Sequence, residues 1–252
     1  MPIFALLAGV SGYYLRLTEL WDVFDAQTGL PQRGAGVTYA LIALSVAVLL
    51  IVLSFAIYVG LKFSSPRGFE NAFGTEPLAY PFCFLVIGLV WLGATVKYFL
   101  DMYAGGDMPL SDMFFAILSA LSAISVFLFS VEVYQDPQRK AKLALSVVPT
   151  LFMCFWLILL YRQNASNPVL LSYCYQCLAI ITSALGFYFT SGYVYDRPAP
   201  SRIVFAFFTA IYFCFVALAD ENAIGIRIIL VVLIAINAIY SSMLLRKLQK
   251  KR

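Results

Sequence analysis

The chain has 252 residues, of which 62% are hydrophobic and 12% charged, against about 25% charged in an ordinary soluble domain. Water is thereby excluded as the main solvent. The 17 basic and 13 acidic residues leave a net charge of +4, and the absence of histidine excludes bis-histidine haem binding, histidine-ligated zinc proteolysis and histidine-dependent hydrolysis.

Apolar runs of the length a bilayer span requires, about 20 residues, recur along the sequence. They predict helices over 2–18, 37–61, 79–100, 110–134, 143–162, 168–191, 202–219 and 223–245. The expected fold class is therefore an all-α, polytopic transmembrane bundle of about eight spans. It is read as one integral membrane domain over 1–252 in the cell membrane, with both termini cytoplasmic. Strand-like alternation is absent, which argues against a barrel. Breakers separate the runs, among them Gly29-Leu30-Pro31, Ser65-Pro66-Arg67-Gly68, Gly105-Gly106-Asp107-Met108-Pro109, Asn167-Pro168 and Arg197-Pro198-Ala199-Pro200. The first run is the weakest, because Arg16 interrupts it. It lacks the basic leader and small-residue cleavage site of a signal peptide, so a retained helix is expected.

Charge orients the spans. With eight of them, one face collects Lys62, Arg67, Arg139, Lys140, Lys142, Arg197, Arg202 and the basic residues of the tail Arg246-Lys247-Leu248-Gln249-Lys250-Lys251-Arg252, which is twelve of the 17 cations. The positive-inside rule makes that face cytoplasmic. The opposite face is acidic, with Glu19, Asp22, Asp25, Asp101, Asp107, Asp112, Asp220 and Glu221. Partners expected on this basis are the lipid bilayer and, at the basic C-terminal tail, anionic lipids. No nucleic-acid partner is expected.

No Asp, Glu, Lys or Arg falls near the middle of a predicted span, which demotes proton-coupled carriers. A retinal protein is demoted further, since Ala235, Ile236 and Asn237 stand where its lysine is needed. No glycine-rich phosphate loop occurs, and no cofactor is expected. Cys174 and Cys177 share a helix face and invite a redox or metal reading, but no second ligand pair is visible. Cysteine commonly fills buried helix surfaces, so packing is the favoured role and no metal site is expected. Small-residue stripes at Ala5, Ala8, Gly9 and Gly12, at Ser119, Ser122 and Ser125, and at Gly88 and Gly93 read as helix-packing seams. A likeness between Ser130–Pro137 and Ser191–Pro198 hints at a repeated helical hairpin.

No catalytic residue is nominated, and the chain leans away from being an enzyme. The candidate binding residues are Arg16, Glu19, Lys97, Asp101, Asp112, Gln176, Arg227 and, deeper, Asn237. Charges at the membrane surface must face water or pair, and Tyr13, Tyr14, Tyr98, Tyr173 and Tyr175 lie at the same level, so an aromatic pocket with few polar anchors is the reading. A collar of snorkelling side chains without a ligand competes with it. The functional expectation is binding or transport of a small solute or lipid through an outward-facing cavity. The alternatives are an anchor or regulatory partner of another membrane component and, third, a membrane-embedded enzyme.

Overall fold

A computed structural model describes residues 1–24, 34–74, 79–106, 109–135, 143–165, 169–220 and 222–250. Among them are eight long helices: α1 (Pro2–Asp22), α2 (Gly36–Lys62), α4 (Ala79–Ala104), α5 (Leu110–Gln135), α6 (Leu143–Gln163), α7 (Cys174–Val194), α8 (Pro200–Ala217) and α9 (Ile224–Lys247). A short α3 (Phe69–Phe73) and a single turn of 3₁₀ helix at Leu170–Ser172 complete the helical set. The fold is all-α, with no barrel among the described residues. Its strands among the described residues are β1 (Phe63–Ser64) and β2 (Gln249–Lys250), which pair antiparallel with Phe63 opposite Lys250.

Seven of the helices, α2 and α4 to α9, are long and apolar enough to cross a membrane. α1 falls short because Arg16, Glu19 and Asp22 dilute its last two turns. The bundle is apolar on the outside. Leu7, Leu50, Ile57, Leu89, Leu121, Ile158 and Val231 are exposed, while Ser119, Ser122, Ser183, Thr209 and Ser241 are buried. Only a hydrocarbon surround makes that distribution favourable, and the chain is a multi-pass membrane protein.

Consecutive helices from α4 to α9 pack in pairs, and α9 closes back on α4, so the six form a ring. α1 and α2 pack outside it against α8, the most buried of the candidate spans. The seams use small residues. A Cβ on Gly9 would lie 2.5 Å from a ring carbon of Phe215, and one on Gly12 2.8 Å from Val216, so α1 and α8 touch almost backbone to side chain. Gly225 does the same for α9 and α4, where an added Cβ would meet Tyr98 Cβ at 2.7 Å and the Ala94 carbonyl at 2.8 Å. Gly88 faces Phe127 on α5, whereas nothing lies within 4 Å of a Cβ placed on Gly93, which is not a seam.

The serine stripe has a second use. Pro149 sits inside α6 and removes the N–H that would bond the Leu145 carbonyl. Ser125 on α5 donates to that carbonyl instead, and Ser191 on α7 donates to the Ser146 carbonyl at 2.8 Å. Nearer the middle, Ser119 accepts from Trp91 Nε1 at 3.0 Å and shares a 2.7 Å hydrogen bond with Thr95. These hydroxyls hold α4, α5, α6 and α7 together.

The predicted helices match the observed ones closely except for the sixth, expected from 168. α7 begins at Cys174, after the 3₁₀ turn and an irregular Tyr173. The cause is long-range: the Leu171 and Ser172 carbonyls turn toward Arg16 on α1. α3 and the β1–β2 pair were not anticipated. Of the charges used for orientation, Asp25, Asp107, Arg139, Lys140, Lys142, Glu221, Lys251 and Arg252 lie outside the described residues, as does part of the first octapeptide, 130–137.

Candidate functional site

α1 runs parallel to α8, and its last turns reach the end of the bundle where α8 hands over to α9. There Arg16 is completely buried. Its guanidinium donates to Asp220 Oδ1 at 2.8 Å, to Glu19 Oε2 at 2.7 Å and to the carbonyls of Leu171 and Ser172 at 3.0 and 3.3 Å. The Tyr175 ring lies 5.1 Å from the guanidinium carbon and that of Phe24 5.8 Å. One side chain thus ties α1 to the α8–α9 turn and to the entry of α7. Such a fork suits arginine, whose planar donors bond several acceptors at once.

Every nitrogen of the guanidinium donates at least once, whereas each acid keeps one oxygen outside the network. Glu19 Oε1 and Asp220 Oδ2 are both buried and have no hydrogen-bond partner among the described residues. Burial pushes the Asp220 carboxyl from its ordinary 3.8 up to about 6, against the pull of Arg16 and with a further push from Glu19.

Beside this triad opens a vestibule of about 1060 Å³, whose wall includes Trp21 and Phe24 of the α1 end, Tyr98, Trp156, Gln176 and Asp220. Phe115, Tyr173, Asn164, Asn222 and Arg227 belong to it as well. Its volume is at the upper end of the range for small-molecule pockets, about 300–1,000 Å³. An aromatic floor closes it. Phe115 packs on Phe152 at 5.2 Å and on Trp156 at 5.7 Å, and Phe152 packs on Trp91 at 5.9 Å, all between ring centroids. Below the floor is a cavity of about 20 Å³ lined by Ser125, Ser146, Thr190, Phe187, Pro149 and Tyr240, room for about one water. A second aromatic layer seals the ring beneath it: Phe73 of α3, Phe84 and Phe207 all pack on Tyr240, at 5.5, 5.0 and 6.0 Å.

The predicted binding residues divide into three groups. Gln176 and Arg227 line the vestibule, Gln176 buried and Arg227 exposed with Nη2 donating to the Asp220 carbonyl at 3.4 Å. Arg16, Glu19 and Asp112 stand one shell behind it. Asp112, buried in the first turn of α5, accepts a 3.0 Å bond from the Tyr98 hydroxyl. Lys97, Asp101 and Asn237 stay apart. Lys97 and Asp101 pair with each other across one helix turn on the outer surface of α4, and Asn237 donates back to the Leu233 carbonyl at 2.7 Å. Tyr98 and Tyr173 line the cavity; Tyr13 and Tyr14 do not. Cys174 and Cys177 are free thiols, and among the described residues no three metal-ligating side chains cluster.

Most of the vestibule wall was not nominated from the sequence, Asp220 and Trp156 among it. Asp220 was counted only as a loop acid, although its position three residues past the end of an apolar helix marked it as close to the membrane surface. Trp156 sits in an unbroken apolar run and gave no signal. Comparison with protein-family models, curated proteins and solved structures finds no match to this chain.

Proposed function

We propose that the protein binds a small solute in the vestibule and passes it along the axis of the six-helix ring. The observation that carries this reading is the asymmetry along that axis: a cavity of about 1060 Å³ at one end, about 20 Å³ near the other, and an aromatic floor between them. A carrier open to one side and sealed to the other has this layout. In this reading α1 is the eighth span, and the whole of 1–252 is one integral domain of the cell membrane. The vestibule faces outward and both termini are cytoplasmic, because Lys62, Arg67, Arg197, Arg202, Arg246, Lys247 and Lys250 gather at the sealed end. Arg197 and Arg202 also line a shallow cavity of about 550 Å³ there, a place for the anionic lipid headgroups expected on a cytoplasmic surface.

The test is a thermal-stability screen of the purified protein in nanodiscs against metabolites and lipids. A ligand at about 100 times its Kd stabilises by about 2.7 kcal/mol. Compounds that stabilise the protein are expected to lose their effect with Trp156→Ala and Gln176→Leu and to keep it with Asp101→Ala. Stabilisation indifferent to both vestibule substitutions would overturn the reading.

A further inference from the structure

Resting on the vestibule as a solute site, we infer that its ligand class is an uncharged heteroaromatic ring with a donor and an acceptor side by side, the edge that nucleobases and cyclic amides share, read by Gln176. The carboxamide is the first ground. Gln176 stands in the first turn of α7, is 5% exposed and lines the cavity. Its amide bonds to nothing among the described residues, yet neither amide atom is enclosed. The other amides of the wall differ. Asn164 and Asn222 spend Nδ2 on the Leu160 and Ala217 carbonyls, at 2.9 and 3.3 Å, and Gln163 is exposed. The place of Gln176 is set from α1, since Arg16 takes the Leu171 and Ser172 carbonyls just before α7.

The rest of the wall is the second ground. Phe115 meets Tyr98 at 4.9 Å and Trp156 at 5.7 Å between ring centroids, and all three line the cavity. Such faces stack flat π-systems. Among the described lining residues only Asp220 and Arg227 are charged. Asp220 has Oδ1 taken by Arg16 and Oδ2 buried, and Arg227 is exposed at the rim, so the inner wall presents no charge to a ligand.

Each other ligand class leaves a group unpaired. An ion brought to the inner wall would lose its water without meeting an opposite charge. A sugar would carry many hydroxyls to a wall that includes Leu159, Leu160 and Ala219 and offers one buried, unbonded amide. A hydrocarbon tail would cover that amide and strand it. A flat ring with an amide-like edge satisfies both materials of the wall: the edge forms two parallel hydrogen bonds with a carboxamide, as glutamine does with adenine, and the ring faces stack.

Equilibrium dialysis of the full-length protein in nanodiscs of neutral lipid, with empty nanodiscs as blank, tests this at neutral pH with three probes built on one ring system. They are 2-quinolone, whose N–H and C=O lie side by side, 2-methylquinoline, which keeps an acceptor and lacks the donor, and quinoline-2-carboxylate, which carries an anion. The quinolone is expected to bind at least about tenfold more tightly than either of the others, a margin of about 1.4 kcal/mol. Gln176→Leu, close in size, should remove that margin, which a loss of packing alone would not do. The wild-type ranking of the three probes carries the test if the variant does not assemble. Equal or tighter binding of the methylquinoline or the carboxylate, or a quinolone margin that survives Gln176→Leu, overturns the inference and leaves the vestibule standing as a solute site. Binding of none of the three also overturns it, and the stability screen then decides separately whether the vestibule takes any solute.

Discussion

The two ends of the six-helix ring are built from opposite materials. At the vestibule end a buried arginine, two carboxylates and the Leu171 and Ser172 carbonyls just before α7 are held in one network beside open volume. At the other end Phe73, Phe84, Phe207 and Tyr240 fill the axis. An apolar plug is held by packing, which is stable wherever it fits. A buried ionic network is weak evidence for stability, because desolvation opposes the attraction between the charges. Its place beside a cavity is the ground for proposing a binding role at that end, and the plug is the ground for proposing closure at the other.

The comparison is broken most severely by Arg16→Met. Glu19 and Asp220 would remain buried without their cation, and loss of one partner from such a network costs about 3–5 kcal/mol. Thermal unfolding in detergent should show a large drop or no monodisperse protein, whereas a change under about 1 kcal/mol would mean the network is not closed. Phe73→Ala empties the plug. Phenylalanine-to-alanine changes in packed cores cost about 3–5 kcal/mol, and the low end is expected here because α3 is short and relaxes into the gap. The same variant should raise solute leak in proteoliposomes.

Gly225→Val probes the wall at the vestibule end. Its side chain would press on Tyr98 and on the Ala94 backbone, and overpacking of this kind costs about 1–3 kcal/mol. Because Tyr98 holds Asp112, vestibule ligand binding should weaken as well. The pH profile is a subtler effect. Asp220 binds its proton more tightly when folded, about 6 against 3.8. Its contribution to stability is therefore complete below about pH 4 and is lost as pH rises through about 6. Thermal midpoints should fall over that window in the wild type and lose the part due to Asp220 in Asp220→Asn. Smallest is Lys97→Ala, which removes a surface pair one turn apart. Pairs of this type are worth about 0.3–0.5 kcal/mol, so neither midpoint nor binding should move measurably.

The helices were legible because hydrocarbon imposes a length and a composition that no local detail overrides; the observed bounds of α2, α5 and α6 lie within a residue of those predicted. Long-range contacts were not legible. The start of α7 moved to Cys174 because Arg16, far away in sequence, takes the carbonyls just before it. α3 is too short for periodicity to mark, and β1 finds its partner at the far end of the chain. In the site, opposed charges on α1 drew attention to Arg16 and Glu19, which the fold brings beside the vestibule, and the same pattern on α4 led to Lys97 and Asp101, which face away. Spacing gives a helix face; only the packing of α4 through Gly225 on α9 decides which way it points. Trp156 shows the converse, an apolar residue in an apolar run whose place in the wall comes from the ring closing around it.

The central claim is that the open vestibule and the plugged basic end lie on opposite sides of the membrane. Labelling by a membrane-impermeant maleimide, in a background with the native cysteines replaced, tests it directly. Asn222→Cys, in the vestibule wall, should react in intact cells, and Ser64→Cys, beside the basic end, only after permeabilisation. The reverse pattern, or labelling of both positions from one side, would contradict the account.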